Sequence, residues 1–186
     1  MPDPAGLSAR LFFALWPDAA VRAQLLQAQQ HLHAAFGGRC MAADTLHLTL
    51  LFVGACPRAR LDEWVKMAAE VRFKPFALTL DRAECWRHNH IASLTAASTP
   101  PALAELSGQL ILRAEALGVA CERRPFVPHV TLLRNAECAG VTPVVGPVVE
   151  PVVGPINWTV SGFSLVESNL TPTGARYQTL AYRSAE

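Results

Sequence analysis

Apolar and polar residues alternate with two different periods along this chain, and the longer period predicts three helices. In 18–36 the apolar residues recur every three or four positions, the spacing that gives a helix one buried face, and two glycines follow. Further helices are predicted over 61–71 and over 99–118. The third of these segments opens with two prolines, which a helix tolerates at its start, and it ends at a glycine.

Shorter apolar or alternating segments predict strands between and after these helices. The resulting order is β-α-β-α-β-β-α-β followed by further strands, which favours an α+β fold with mainly antiparallel sheets packed under helices. Each half offers a helix followed by a similar strand, so two related lobes are expected. The predicted strands are RLFFALW (10–16), LHLTLLFV (46–53), a hairpin of FALTLDRAECW (76–86) and HIASLTA (90–96), HVTLLR (129–134), WTVSGFSLVES (158–168) and RYQTLAY (176–182).

One segment, VVGPVVEPVVGP at 144–155, follows neither pattern. A tetrapeptide is repeated three times there with proline at every fourth position, which forbids a helix or a central strand. We expect 140–156 to be an extended Pro/Val-rich loop, either a low-complexity connection or a lid.

Composition narrows the class of protein. Of 186 residues, 51% are hydrophobic and 17% are charged, as in a globular protein, and the net charge of +1 disfavours a broad basic face for nucleic acid. No apolar run is long enough to span a bilayer, and the first residues lack a signal-peptide pattern, so no membrane partner and a cytoplasmic location are expected. Five scattered cysteines without CxxC spacing predict reduced thiols.

Two His-x-Thr units stand out, each inside a predicted strand. His47 and Thr49 would share one face of the first strand, because side chains alternate along a strand, and His129 and Thr131 would share one face of the second. If the two strands lie side by side, all four polar groups converge on one cleft.

Such a cleft suits acid–base chemistry on a phosphate. Two imidazoles with a pKa near neutrality can serve as general base and general acid, while two hydroxyls donate to the non-bridging oxygens of the phosphate. This chemistry requires no metal. The alternative is that both histidines lie in the core, where nearby backbone groups satisfy their hydrogen bonds.

The chain resembles the two-histidine (2H) phosphoesterases through these motifs, and most closely their RNA 2′,3′-cyclic phosphodiesterase branch, also called 2′-5′ RNA ligases. The resemblance extends over RLFFALWPD, LHLTLLFVG, RPFVPHVTLLR and FSLVESNLTPTGARYQTL, and therefore over nearly the whole chain. It implies a single bilobal domain spanning 1–186, in which two pseudo-twofold-related antiparallel sheets line a central cleft.

The resemblance also implies roles for the motif residues. His47 would be the general acid and His129 the general base in the hydrolysis of an RNA 2′,3′-cyclic phosphate to a 2′-phosphate. Thr49 and Thr131 would bind the scissile phosphate. The reverse reaction with an RNA 5′-hydroxyl would form a 2′-5′ bond without ATP, and neither a metal nor another cofactor is expected.

Further contacts to the substrate are expected around the second motif. Arg134, five residues after the second histidine, would contact the phosphate, and Phe126 would stack on a nucleobase. Arg123 and Arg124 are candidates to guide the RNA chain or, alternatively, a solvated edge. Phe13 fits a core position better than a stacking position. The partner is RNA with a cyclic phosphate end or a small cyclic nucleotide, and a monomer is expected.

Other classes of function fit the sequence less well. A metal hydrolase is disfavoured because the sequence contains no HExxH motif and the pairs His31/His33 and His88/His90 have no carboxylates at ligand spacing. A serine hydrolase is disfavoured because the sequence contains no GxSxG motif. The remaining alternatives are another 2H branch acting on a different cyclic or 2′-5′ phosphodiester, and a binding module for RNA ends that does not turn over.

Overall fold

The computed structural model of the protein describes residues 7–121, 125–138, 154–171 and 174–186. The elements follow the predicted order, with strands and helices alternating in the first part of the chain and strands alone at its end. The helices are α1 (Ala19–Phe36), α2 (Leu61–Glu70) and α3 (Pro101–Ala116). The strands are β1 (Ser8–Leu15), β2 (Arg39–Cys40), β3 (Leu48–Pro57), β4 (Phe76–Leu80), β5 (Arg82–Trp86), β6 (Ile91–Thr95), β7 (His129–Arg134), β8 (Ile156–Val160), β9 (Gly162–Thr171) and β10 (Gly174–Ser184).

The helices begin and end where the sequence predicts. The Asp18 carboxylate accepts a hydrogen bond from the Val21 amide at 2.8 Å and so caps the first turn of α1. Gly37 ends this helix with a φ of 58°, a conformation that glycine adopts without cost. Helix α3 begins at Pro101, whose missing N–H costs nothing in a first turn.

Eight strands form one sheet in the order β10-β9-β1-β3-β7-β6-β5, with β2 paired to β7, and β4 and β8 form a second sheet. The pairings are antiparallel. The large sheet has two halves, β10-β9-β1-β3 and β2-β7-β6-β5, joined by one residue pair, Leu48 with Val130. We call this pair the seam. The α+β prediction with mainly antiparallel sheets is confirmed.

Two predicted strands are divided between the two sheets. The segment 76–86 is interrupted at Asp81, whose carboxylate accepts a hydrogen bond from the Ala97 amide at 2.7 Å. As a result β4 belongs to the small sheet and β5 to the large sheet. The segment 158–168 divides in the same way between β8 and β9. There a Cβ on Gly162 would lie 2.1 Å from the hydroxyl of Tyr182, so a larger residue would displace the tyrosine ring.

The prediction of five reduced cysteines is wrong for one pair. Cys85 in β5 and Cys138 after β7 form a disulfide, with their Cα atoms 5.6 Å apart and a separation of 53 positions in sequence. Sequence spacing gave no sign of this pair, because strand pairing in the second half of the sheet is what brings the two segments together. Cys40, Cys56 and Cys121 are free.

The apolar side chains form one large core and one small cluster. The large core contains the fully buried Trp64 and Phe13 and the buried faces of all three helices, which agrees with a core position for Phe13. The small cluster holds Phe12, Ala14 and Val166, and Trp16 and Tyr177 pack against it. In the described part of the chain no helix is long and apolar enough to cross a membrane. Most of the predicted loop, 140–153, lies outside the described residues.

Candidate active site

The two His-x-Thr units meet at the seam. Leu48 and Val130 point into the core and are fully buried, so the residues on either side of each point the other way. The four polar side chains line one cleft of about 690 Å³, as the two motifs predict. The antiparallel register on either side of the Leu48–Val130 pair places each histidine opposite the threonine of the other unit. The cleft-lining residues of the two units are His47, Thr49, His129 and Thr131.

Both imidazoles are oriented in the same way by the backbone. Nδ1 of His47 lies 2.6 Å from the carbonyl oxygen of Thr45, and Nδ1 of His129 lies 2.8 Å from that of Val127. A carbonyl oxygen only accepts, so each Nδ1 carries the proton and donates. In the neutral rings Nε2 is therefore left as an acceptor for a ligand, the tautomer that proton transfer requires.

Aromatic rings enclose His47. The centroids of Phe12, Trp16 and Tyr177 lie 5.0, 5.3 and 5.3 Å from that of its imidazole. Burial lowers the pKa of His47, the hydrogen bond to the Thr45 carbonyl opposes that change, and the charges of His129 and Arg134 lower the pKa further. The pKa of His47 therefore lies below the ordinary value of an imidazole. Burial also raises the pKa of the Tyr177 hydroxyl.

A single indole packs beside His129. The ring of Trp86 meets the imidazole edge-on, with the centroids 4.8 Å apart. Its Nε1 donates to the carboxylate of Glu84 at 2.7 Å, and the other oxygen of that carboxylate accepts from Thr95 at 3.3 Å. Thr95 is paired with His129 across β6 and β7, so this short chain of hydrogen bonds links the indole to the strand that carries the histidine.

Matching β-bulges turn the end of each motif strand toward the cleft. Leu50 has no partner in the β1–β3 register, and Leu132 has none in the β6–β7 register. In a regular strand the fifth residue after the histidine would face away from it. The extra residue reverses the alternation, so Phe52 and Arg134 line the cleft. The predicted cleft position of Arg134 thus has a structural cause that periodicity alone does not provide.

The remaining predicted residues differ in where they lie. Arg134 is exposed, and no ion pair of this side chain occurs among the residues that the structure describes. Phe126 is partly buried, packs against the large core and is not a cleft-lining residue. Its role in base stacking stays a prediction. Arg123 and Arg124 lie outside the described residues.

Several residues that line the cleft were not predicted from the sequence. Tyr177 comes from β10 and Trp86 from β5, far from either motif in sequence. Arg10 lies 4.8 Å above the ring of Phe52 in a cation–π contact, and both line the cleft. Alternation along 10–16 contained a signal for Arg10, but only the pairing of β1 with β3 shows which face meets the motif.

Within the described ranges no group of three or more His, Cys, Asp or Glu side chains is arranged to hold a metal ion. The side chains that converge on the seam are instead imidazoles, hydroxyls and guanidinium groups. Together they can donate hydrogen bonds to an anion and exchange protons with it.

Comparison with known proteins gives a consistent result. A family model described as LigT-like phosphoesterase matches residues 15–92 and 94–177. An RNA 2′,3′-cyclic phosphodiesterase of Escherichia coli (strain K12) is 34% identical over 173 residues, covering 92% of this chain and 93% of that protein. One of Thermus thermophilus is 32% identical over 188 residues, covering 92% and 87%.

A solved structure agrees with this result. The crystal structure of E. coli LigT complexed with 3′-AMP matches with a TM-score of 0.82 and 31% identity, covering 96% of this chain and 98% of that one. The sequence resemblance and the paired motifs at the seam lead to the same conclusion: the chain belongs to the LigT-like phosphoesterase family.

Proposed function

We propose that the protein hydrolyses RNA 2′,3′-cyclic phosphate ends to 2′-phosphates with its two histidines. One observation carries the proposal: the two His-x-Thr units meet at the seam with their imidazoles held in the same tautomer. Relatives that share about a third of their residues with this chain are named RNA 2′,3′-cyclic phosphodiesterases, and a structural neighbour was crystallised with 3′-AMP.

The reaction is a displacement at phosphorus. His129 accepts a proton from water as the water oxygen attacks, and the bond from phosphorus to the ribose 3′-oxygen breaks. His47 donates a proton to that leaving oxygen, so the product carries a 2′-phosphate and a 3′-hydroxyl. Thr49, Thr131 and Arg134 donate hydrogen bonds to the non-bridging oxygens, where charge increases in the transition state.

The lowered pKa of His47 couples its acid role to the substrate. Burial disfavours the charged ring, which is the form that donates a proton. A cyclic phosphate carries a negative charge, and an opposite charge in contact raises the pKa of an imidazole. Substrate binding therefore supplies the charge that lets His47 take up its proton.

The same site also suggests a reverse reaction, and the protein's location and oligomeric state can be tested separately. Run in reverse with a 5′-hydroxyl in place of water, the same groups would form a 2′-5′ linkage without ATP. We also infer one catalytic domain spanning 1–186, acting as a cytoplasmic monomer. Three free cysteines fit a reducing compartment, whereas the Cys85–Cys138 disulfide is unusual there. Cell fractionation and sedimentation would test location and oligomeric state.

Turnover of a short RNA with a 2′,3′-cyclic phosphate end, measured in EDTA, tests the central claim. Wild type should yield a 2′-phosphate, and His47→Ala and His129→Ala should each be slower by about 10²- to 10⁴-fold. His31→Ala, which changes an exposed histidine of α1, is the matched control.

The outcomes separate the alternatives. Inactive wild type, or full activity in either cleft variant, would sink the two-histidine mechanism. A wild type active only on another cyclic or 2′-5′ phosphodiester would indicate a different 2H branch. RNA binding without any turnover would indicate a binding module for RNA ends.

A further inference from the structure

Two arginines lie side by side at one end of the cleft. Arg39 in β2 is the direct cross-strand partner of Arg134 in β7, and partners in an antiparallel pair share a face. Both side chains are exposed and both line the cleft. Like charges directly opposite one another destabilise a sheet, so this register opposes folding unless something else offsets it.

The chain holds Arg39 in this position through its neighbours. At Gly38 a Cβ would lie 2.7 Å from the Arg134 carbonyl oxygen, so only glycine lets β2 approach β7 this closely. The Met41 amide donates to the carbonyl of Leu132 at 2.9 Å.

A buried amide side chain strengthens the same attachment. Nε2 of Gln29, from α1, donates to the carbonyl oxygens of both Met41 and Leu132 at 2.9 Å each. Gln29 is only 5% exposed. Buried hydrogen bonds therefore fix a strand of two residues whose single cleft-facing side chain is a guanidinium.

Among the described residues, no carboxylate forms an ion pair with either guanidinium group. Other arginines of the protein form ion pairs, such as Arg58 with Glu167 and Arg113 with Glu70. For Arg39 and Arg134 no ion pair occurs within the described ranges. Their charges are thus available to an anion that enters the cleft.

The two arginines differ in their relation to His47. Arg134 follows Thr131 on the same strand, and its charge is one cause of the lowered pKa of His47, whereas Arg39 is not such a cause. As direct partners, both lie roughly 13 Å along the strand direction from Val130 at ~3.3 Å per residue, and Arg39 is on the neighbouring strand, about 4.8 Å to the side. With Arg134 at the scissile phosphate, Arg39 is left for a second phosphate beside it.

We propose that Arg39 binds the internucleotide phosphate next to the terminal nucleotide, which makes RNA chains better substrates than mononucleotides. This inference rests on the proposed function and names its substrate class: RNA ends of two or more nucleotides. The paired arginines form a two-phosphate clamp, in which Arg134 contacts the cyclic phosphate and Arg39 the neighbouring phosphodiester. Guanidinium suits this role because it donates two parallel hydrogen bonds to one phosphate.

The test compares two substrates that end in the same cyclic nucleotide. A diribonucleotide with a 2′,3′-cyclic phosphate end has the second phosphate, and the mononucleoside 2′,3′-cyclic phosphate lacks it. The ratio of their kcat/KM values should fall about tenfold or more in Arg39→Ala, the size of a lost charged hydrogen bond, and be partly restored in Arg39→Lys. Arg176→Ala, which removes the same charge from an exposed strand position outside the cleft lining, should keep the wild-type ratio.

Salt provides a second readout. Turnover of the diribonucleotide should depend on salt less steeply in Arg39→Ala than in wild type, because one phosphate contact fewer releases fewer counterions. An equal loss on both substrates, which leaves their ratio unchanged, would place Arg39 at the scissile phosphate or in a structural role, and no loss on either substrate would rule out the second contact. Either result overturns the inference.

The inference stays testable if the proposed function fails. Should wild type hydrolyse neither substrate, calorimetric binding of a diribonucleotide 2′-phosphate and a mononucleoside 2′-phosphate gives the same comparison as a ratio of Kd values. That ratio must change in Arg39→Ala and not in Arg176→Ala. A ratio insensitive to Arg39 would again overturn the clamp, independently of any reaction.

Discussion

The strand ends HLTLLF (47–52) and HVTLLR (129–134) are almost the same sequence in two different settings. Both carry the His-x-Thr unit, both place a bulge after the threonine, and both bring the sixth residue to the cleft. The first ends in Phe52 beside an aromatic enclosure, and the second ends in Arg134 beside a second arginine. One wall of the cleft therefore has three aromatic rings around its histidine, and the other has two neighbouring arginines.

This difference shows that a motif supplies the reacting groups while its neighbours set their behaviour. Three aromatic rings from β1, the residue after it and β10 surround His47 and lower its pKa. Among the described residues, Trp86 alone packs in the same way beside His129. Two histidines with the same local sequence and backbone hydrogen bond thus have different surroundings.

Removing the disulfide should have the largest effect on the difference between the two halves of the sheet, because the disulfide lies in the half that carries His129. Cys138→Ser should lower the free energy of unfolding by about 2–4 kcal/mol, the usual contribution of a native disulfide. It should also slow turnover, since Cys85 precedes the indole that packs on His129. Urea unfolding and initial rates measure the two effects.

Cys40→Ser, at an exposed free cysteine, is the control for this change and should leave stability unaltered. Reduction of wild type with dithiothreitol should reproduce the Cys138→Ser result. If the reductant leaves the unfolding curve unmoved, the disulfide does not stabilise this half of the sheet.

Exchanging the last residue of one motif strand for that of the other directly challenges the difference between the walls. Arg134→Phe gives the second strand the ending of the first and should lower kcat/KM by about 10- to 100-fold, because a charged hydrogen bond to phosphate is lost. Arg134→Lys keeps the charge and should lose less. Equal rates for Arg134→Phe and wild type would mean that the cationic wall does not bind the phosphate.

The smallest predicted effect concerns pH and the enclosure of His47. Its folded-state pKa is lowered, so below the ordinary value near 6.5 the unfolded chain binds more protons than the folded one. Stability is then fully present above that value and is lost as the pH falls toward the folded pKa, by at most about 1.4 kcal/mol per pH unit.

Urea unfolding at pH 7.5 and pH 5.5 measures this loss. His47→Gln removes the titrating group and should unfold with a smaller pH dependence than wild type, whereas His31→Gln, at an exposed position, should follow wild type. A pH dependence that His47→Gln leaves intact would show that burial of this imidazole does not shift its pKa.

Local pattern predicted the helices and the shared face of each His-x-Thr unit because each depends on residues close in sequence. The cap at Asp18 and the alternation around His47 and His129 are signals of this kind. The split of 76–86 at Asp81 depends instead on a hydrogen bond to Ala97, which alternation cannot report.

The other cleft residues could not be predicted, because long-range strand pairing determines their positions. Tyr177 reaches His47 because β10 pairs with β9 and β9 with β1. Arg39 meets Arg134 only because two residues of β2 pair with β7. Periodicity assigns a face to each of these side chains, but it does not say which strand lies alongside.

The seam also has a consequence for the order in which the cleft can be assembled. The half with His129 uses strands from the middle of the chain, residues 39–134, whereas the half with His47 joins β1 to β9 and β10. A growing chain therefore holds every strand of one wall before residues 162–184 complete the other. Until then the buried strand β1 lacks one of its two neighbours, and His47 lacks the tyrosine of its aromatic enclosure.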